Sequence, residues 1–109
     1  MKKFKVLEMA KTVAKKTIEL TRKLNYDSID MKKQLIRSVN SIPLNIAEDN
    51  GRNGKDRNYH FSIAYSSAKE SIVNLELLVM LGLVCENRAK FCLSNLDQIC
   101  AMLYKLNPY

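Results

Sequence analysis

The side chains best suited to chemistry are His60, Cys85, Cys92 and Cys100, and the carboxylates at Glu70 and Glu76. His60 follows Asp56 by four residues, one helical turn, which is the spacing of a base and a carboxylate that orients it. No Ser or Cys stands where spacing would complete a nucleophile. A di-iron bundle needs Glu-x-x-His on two helices, and the sequence contains none. Glu70 and Glu76 are six residues apart and cannot share a metal from one helix face. Gly51 and Gly54 lack the Lys-Ser/Thr pair that follows in a phosphate-binding loop. The cysteines form no CxxC pair and are odd in number, so they read as free thiols packed as small apolar residues in a reducing, cytoplasmic setting. The expectation is a protein that is not an enzyme, with no metal, no cofactor and no small-molecule substrate.

Cations carry more information. The net charge is +7, and it is unevenly spread: residues 1–57 hold fourteen Lys/Arg against seven Asp/Glu, whereas residues 58–109 hold four of each. Lys11, Lys15, Lys16, Arg22 and Lys23 recur along one stretch, with Lys2, Lys3 and Lys5 before it. Lys32, Lys33 and Arg37 follow, and Arg52, Lys55 and Arg57 cluster in a Gly/Asn-rich segment. A surface that binds phosphates without reading sequence requires such spacing and no aromatic platform. Glu8 and Glu19 interrupt the stretch, as they would on a merely solvated face. Nucleic acid, an acidic protein, plain solvation and a membrane surface all remain open on these residues alone.

The elements that must position these residues are helices. At 109 residues the chain is expected to form one domain, 1–109, and three Gly and two Pro are too few turn makers for a sheet sandwich. From Val6 to Leu24 the charged residues fall on one arc and Val6, Leu7, Met9, Ala10, Val13, Ala14, Ile18, Leu20 and Leu24 on the other. Asp27 reads as an N-cap for a second helix running to about Asp49, with Met31, Leu35, Val39, Ile42 and Ile46 on its buried face. Pro43 lies inside that pattern, which predicts a kink and not a stop. Ser38, Ser41, Asn45, Ser66 and Ser67 read as small polar residues that permit close helix approach.

Asn50 to Lys55 is the one clear loop, with Asn53 or Asp56 able to cap a third helix from about Asp56 to Leu81. Phe61, Ala64, Ala68, Ile72, Leu75 and Val79 form its stripe, and Gly82 stops it. Between Leu75 and Leu83 this helix is apolar almost all round, so Leu75, Leu77, Leu78 and Leu81 are expected at a contact between copies of the chain. A fourth helix runs from about Asn87 to Asn107. Short connections fold four such helices into an up-down-up-down, all-α bundle. No secretory leader is expected, because lysines interrupt the apolar residues after the N-terminus, and no transmembrane run occurs.

The segment Ser38-Val39-Asn40-Ser41-Ile42-Pro43-Leu44-Asn45-Ile46-Ala47-Glu48 resembles the S-x-P-x-N-I-A-E-G signature of the 23S rRNA intervening-sequence proteins. Pro43, Asn45 and Glu48 are its fixed points here, and Arg52 fits the arginine that follows. Phe61 to Glu70, with Leu75 and Leu81-Gly82, is similar to the family's next helix. Asp49 and Ser66 stand where the family has Gly, and Ser71-Ile72 where it has Leu-Glu. The resemblance implies an antiparallel four-helix bundle assembled into a ring, commonly a pentamer. It also implies a likeness in fold to the accessory variability proteins of diversity-generating retroelements, which bind a reverse transcriptase and RNA. Together the residues and the resemblance lead to a homo-oligomer, five copies favoured, that presents Lys/Arg to RNA or DNA, with a reverse transcriptase as a further partner. The alternative is a purely structural or protein-interaction ring.

Overall fold

The computed structural model describes residues 2–48 and 54–106, with side chains at 3–48 and 59–106. Four helices make up nearly all of it: α1 (Lys2–Leu20), α2 (Ile29–Glu48), α3 (Gly54–Met80) and α4 (Glu86–Leu106), with a 3₁₀ turn at Tyr26–Ser28 between the first two. Among the described residues there is no strand. Each helix packs on two others, in the order α1–α2–α3–α4–α1, and among the described residues the backbones of the diagonal pairs stay more than 8 Å apart between Cα atoms. The body measures 43 × 22 × 21 Å, as expected for antiparallel helices side by side.

Apolar residues at helical spacing build the core in two layers. Val6, Ala10 and Val13 of α1 meet Ile42 and Ile46, Phe61, Ala64 and Ala68, and Leu96, Ile99 and Leu103 at one end. Ala14, Leu35, Val39, Leu75, Leu78, Val84, Ala89 and Cys92 form the other. Small residues at Ala10, Ala64 and Ala68 sit opposite large ones, which lets the layers interdigitate.

Two helix ends differ from the periodicity reading. Spacing carries the first helix to Leu24, but it ends at Leu20. There Thr21 donates its hydroxyl to the Thr17 carbonyl at 2.9 Å, and the next bonds tighten to i+3, from Arg22 to Glu19 and Leu24 to Thr21. Asp27, expected as the cap of the second helix, lies inside the 3₁₀ turn instead. The end of α3 follows the expectation. Gly82 adopts φ +75°, with Leu83 N–H on the Leu78 carbonyl and Gly82 N–H on that of Val79, both at 2.9 Å, the paired bonds of a Schellman stop. Pro43 is accommodated within an unbroken α2.

The α2–α3 contact, the most extensive of the four, is seamed with polar groups. The Ser38 and Ser71 hydroxyls meet at 2.8 Å, and so do those of Ser41 and Ser67. Ser38 can donate onward to the Leu35 carbonyl at 3.0 Å and Ser71 to that of Ser67 at 2.8 Å, so one chain of donors runs in either sense. At the far end Asn45 donates to the Ser41 carbonyl at 2.8 Å. That fixes the orientation of its amide, so His60 Nδ1 donates to Asn45 Oδ1 at 3.0 Å. His60 therefore has Asn45 as its partner across the seam. Asp56, its expected neighbour, lies outside the residues whose side chains are described, as do Gly51 and Asn53. Ser66, expected in the seam, is exposed.

Candidate nucleic-acid interface

Helical spacing places Lys11 and Lys15, four residues apart, along one side of α1, Arg22 follows in the turn beyond the helix end, and all three are exposed. Lys11 shares its charge with Glu8 at 3.0 Å, an exposed pair of little energetic weight. The turn after α1 then brings helix two alongside: the half-buried Lys32 donates its ammonium to the Arg22 carbonyl at 3.4 Å. Lys23 is exposed beside it.

Among the described residues, Lys33, Arg37 and Lys16 do not extend this ridge. Lys33 and Arg37 line a shallow hollow of about 300 Å³ on α2 with Asp30 and Gln34. From there the Arg37 guanidinium comes within 3.7 Å of the Glu70 carboxylate of α3. Lys16 faces the other way, into a groove between α1 and α4. Arg52 and the side chains of Lys55 and Arg57 lie outside the described residues. What reads in sequence as one stripe is a ridge on α1, a hollow on α2 and a groove against α4.

That groove holds cations that the neutral balance of the second half conceals in the sequence. In a hollow of about 410 Å³, Lys16 and Glu19 face Arg88 and Phe91 over Leu20 and Cys92. Toward the other end Phe4, Lys5, Glu8, Met9 and Thr12 line a second hollow with Asn95, of about 370 Å³. Lys5 and Lys105 line a third, of about 380 Å³, with Met102 and Leu106. Arg88 and Phe91, three apart at the start of a helix, share a face, which is legible. Their apposition to Lys16 depends on how α1 meets α4, which is not.

The expected contact between copies is divided by the structure. Leu75 and Leu78 are fully buried in the bundle's own core, so they are corrected from interface to core residues. Both point between α2 and α4 because they continue the spacing of Ala64, Ala68 and Ser71. Leu77 and Leu81 are exposed, and with Val73 and Met80, 54% and 80% exposed, they give α3 an outward apolar strip.

Pro43 and Asn45 are half-buried and Glu48 closes α2 at the surface. Asn45 acts across helices, through the seam. Among the described residues no group of His, Cys, Asp and Glu is placed to hold a metal, and no helix is long and apolar enough to cross a membrane.

A small, all-α bundle of four helices with a Lys/Arg-rich outer face is the class that this fold and surface define. The chain belongs to the 23S rRNA-intervening sequence protein family, whose model matches residues 2–105. Its fold is similar to that of a protein of unknown function from the S23 ribosomal protein family of Bacteroides thetaiotaomicron, with a TM-score of 0.90 at 24% identity over 100% of both chains. No curated protein matches the chain.

Proposed function

We propose that this protein is a non-enzymatic homo-oligomer that binds nucleic acid, RNA foremost, by phosphate contacts to the α1 ridge. The observation that carries this reading is the exposure of Lys11 and Lys15 on one side of α1 and of Arg22 in the turn that follows it, in a chain of charge +7. Phosphate contact requires only mobile cations at helical intervals, and each contact releases counterions. The outward strip of α3 supports assembly, five copies being the count that the family resemblance favours. α1 and α3 are diagonal, so a ring closed through α3 leaves the ridge free. Repeating the ridge around an axis lets weak contacts add. The resemblance also makes a reverse transcriptase the protein partner to test first.

The test is a salt titration of binding to a labelled RNA. Affinity is expected to fall linearly in log–log form, by roughly tenfold or more between about 50 and about 200 mM salt when three or more phosphates are engaged. Reversing Lys11, Lys15 and Arg22 to Glu is expected to abolish binding with helicity and mass unchanged, while Lys90→Glu has little effect. Binding by the triple variant as tight as the parent's would reduce the ridge to a solvated face and leave a ring that serves protein contacts alone.

A further inference from the structure

Phe91 is 47% exposed although its neighbours Cys92 and Leu96 are fully sequestered on the same helix. An isolated exposed ring needs no explanation. This one lies in a hollow with a cation on either helix, Lys16 on α1 and Arg88 on α4. A second exposed ring lies along the groove, where Phe4, 63% exposed, lines the next hollow with Lys5, Glu8 and Asn95, Glu8 being drawn toward Lys11 at 3.0 Å, and Lys105 stands across from Lys5 beyond it. Lys5 and Lys16 are eleven residues apart, about 16 Å along the helix axis. The groove is therefore an open track with an aromatic face and cations at each end, not an enclosed pocket for a small molecule.

We infer that the α1–α4 groove binds an unpaired nucleotide chain, with one base stacked on Phe91, a second on Phe4, and the linking phosphates held by Lys16, Arg88, Lys5 and Lys105. The inference rests on the nucleic-acid reading above and adds to the ridge a second surface, specific for single strands. Bases in a duplex are stacked on each other and offer no face to a protein ring, whereas unpaired bases do. Aromatic platforms beside a backbone-tracking line of cations are the means of holding single strands. Glu19, in the same hollow as Phe91, repels phosphate, so the base and not the phosphate lies on its side, where the carboxylate accepts from amino or imino N–H groups. An acidic peptide would satisfy the cations but not the rings.

The experiment uses the full chain at low salt with a labelled twelve-nucleotide single-stranded RNA and with the same RNA annealed to its complement. The single strand is expected to bind tighter than the duplex. Phe91→Ala is expected to weaken the single strand by about fivefold or more and leave the duplex unchanged. Arg88→Gln is expected to reduce the salt slope for the single strand by about one contact. The chain contains no tryptophan, so Phe91→Trp introduces one fluorophore, which the single strand should quench as a base stacks on it. Circular dichroism checks that each variant keeps its helices.

If Phe91→Ala binds the single strand like the parent, or the indole emission of the Phe91→Trp variant does not respond, the groove assignment falls while the ridge reading stands. Displacement of the single strand by polyglutamate at equal charge concentration also overturns it, since the site would then read charge alone. If neither form of RNA binds, both readings fall together.

Discussion

At the scale of single residues, the serine pairs of the α2–α3 seam have measurable energetic consequences. Ser38 and Ser71 are both buried and each satisfies the other. Either alanine substitution removes one hydrogen bond and leaves a hydroxyl that has lost its neighbour, a loss of about 1 kcal/mol or more. The double substitution leaves neither group stranded, so it is expected to cost less than the two singles combined, with a coupling of about 0.5 kcal/mol or more in urea unfolding. Strict additivity would show that the two hydroxyls do not interact in solution. Thiols offer a second check. Cys92 and Cys100 are buried and Cys85 is exposed. Burial pushes the Cys92 thiol up against weaker pulls from the Thr17 hydroxyl and Lys16; it pushes Cys100 up too, opposed by Lys69 and reinforced by Asp97. A raised thiol favours the protonated form in the fold, so this contribution to stability is complete below the unfolded pKa of about 8.5 and is lost as pH rises through the folded value. Urea midpoints are expected to drop on the alkaline side, and an aromatic disulfide reagent should label Cys85 first and the other two only on unfolding. Equal labelling of all three would contradict the packing. The polar character of Ser38, Ser41, Asn45 and Ser67 was legible in sequence. Their pairing was not, because partners 26 and 33 residues apart are set by helix register.

The helices themselves follow from spacing, and their ends show where spacing stops informing. Leu24 lies on the apolar arc of the first helix and does pack against the core, yet it is outside α1. A turn residue folded back under its own helix keeps the apolar position without the helical backbone, so periodicity alone carries the helix too far. The surplus of apolar residues late in α3 was equally legible, but its division was not. Which leucines face inward depends on where α2 and α4 lie, and that assigns Leu78 to the core and Leu77 to the outside. Leu78→Glu is therefore expected to unfold the chain, because a charge loses its water there without a partner. Leu77→Glu is expected to keep its helicity and to lower the mass measured by light scattering from several times 12.5 kDa toward that value. A parent that is already monomeric at micromolar concentration would refute assembly through this strip. Pro43→Ala belongs at the same scale. The ring denies the Val39 carbonyl its usual donor while α2 remains unbroken, so restoring an N–H is expected to change stability modestly, with the helix content preserved.

For the molecule as a whole, dividing the charge by halves of the chain misplaces it. The second half is neutral, but antiparallel packing sets Lys105 beside Lys5 and Arg88 beside Lys16. Sequence position locates a charge along the chain, while the field a ligand meets depends on which helices lie side by side. The bundle topology was legible from four amphipathic stretches and short connections. The groove was not, because its two walls come from opposite ends of the sequence.

That separation governs the order in which the protein can be completed. Among the described residues, every helix contact except α1–α4 joins consecutive helices, so those contacts form by closing short loops. The α1–α4 contact instead closes nearly the whole chain, at a larger entropic cost. During synthesis α1, α2 and α3 emerge and can associate while the groove still lacks a wall. A chain halted before Glu86 would carry the ridge and the seam with no groove at all. Capture of a single strand would then report that α4 had been made and docked.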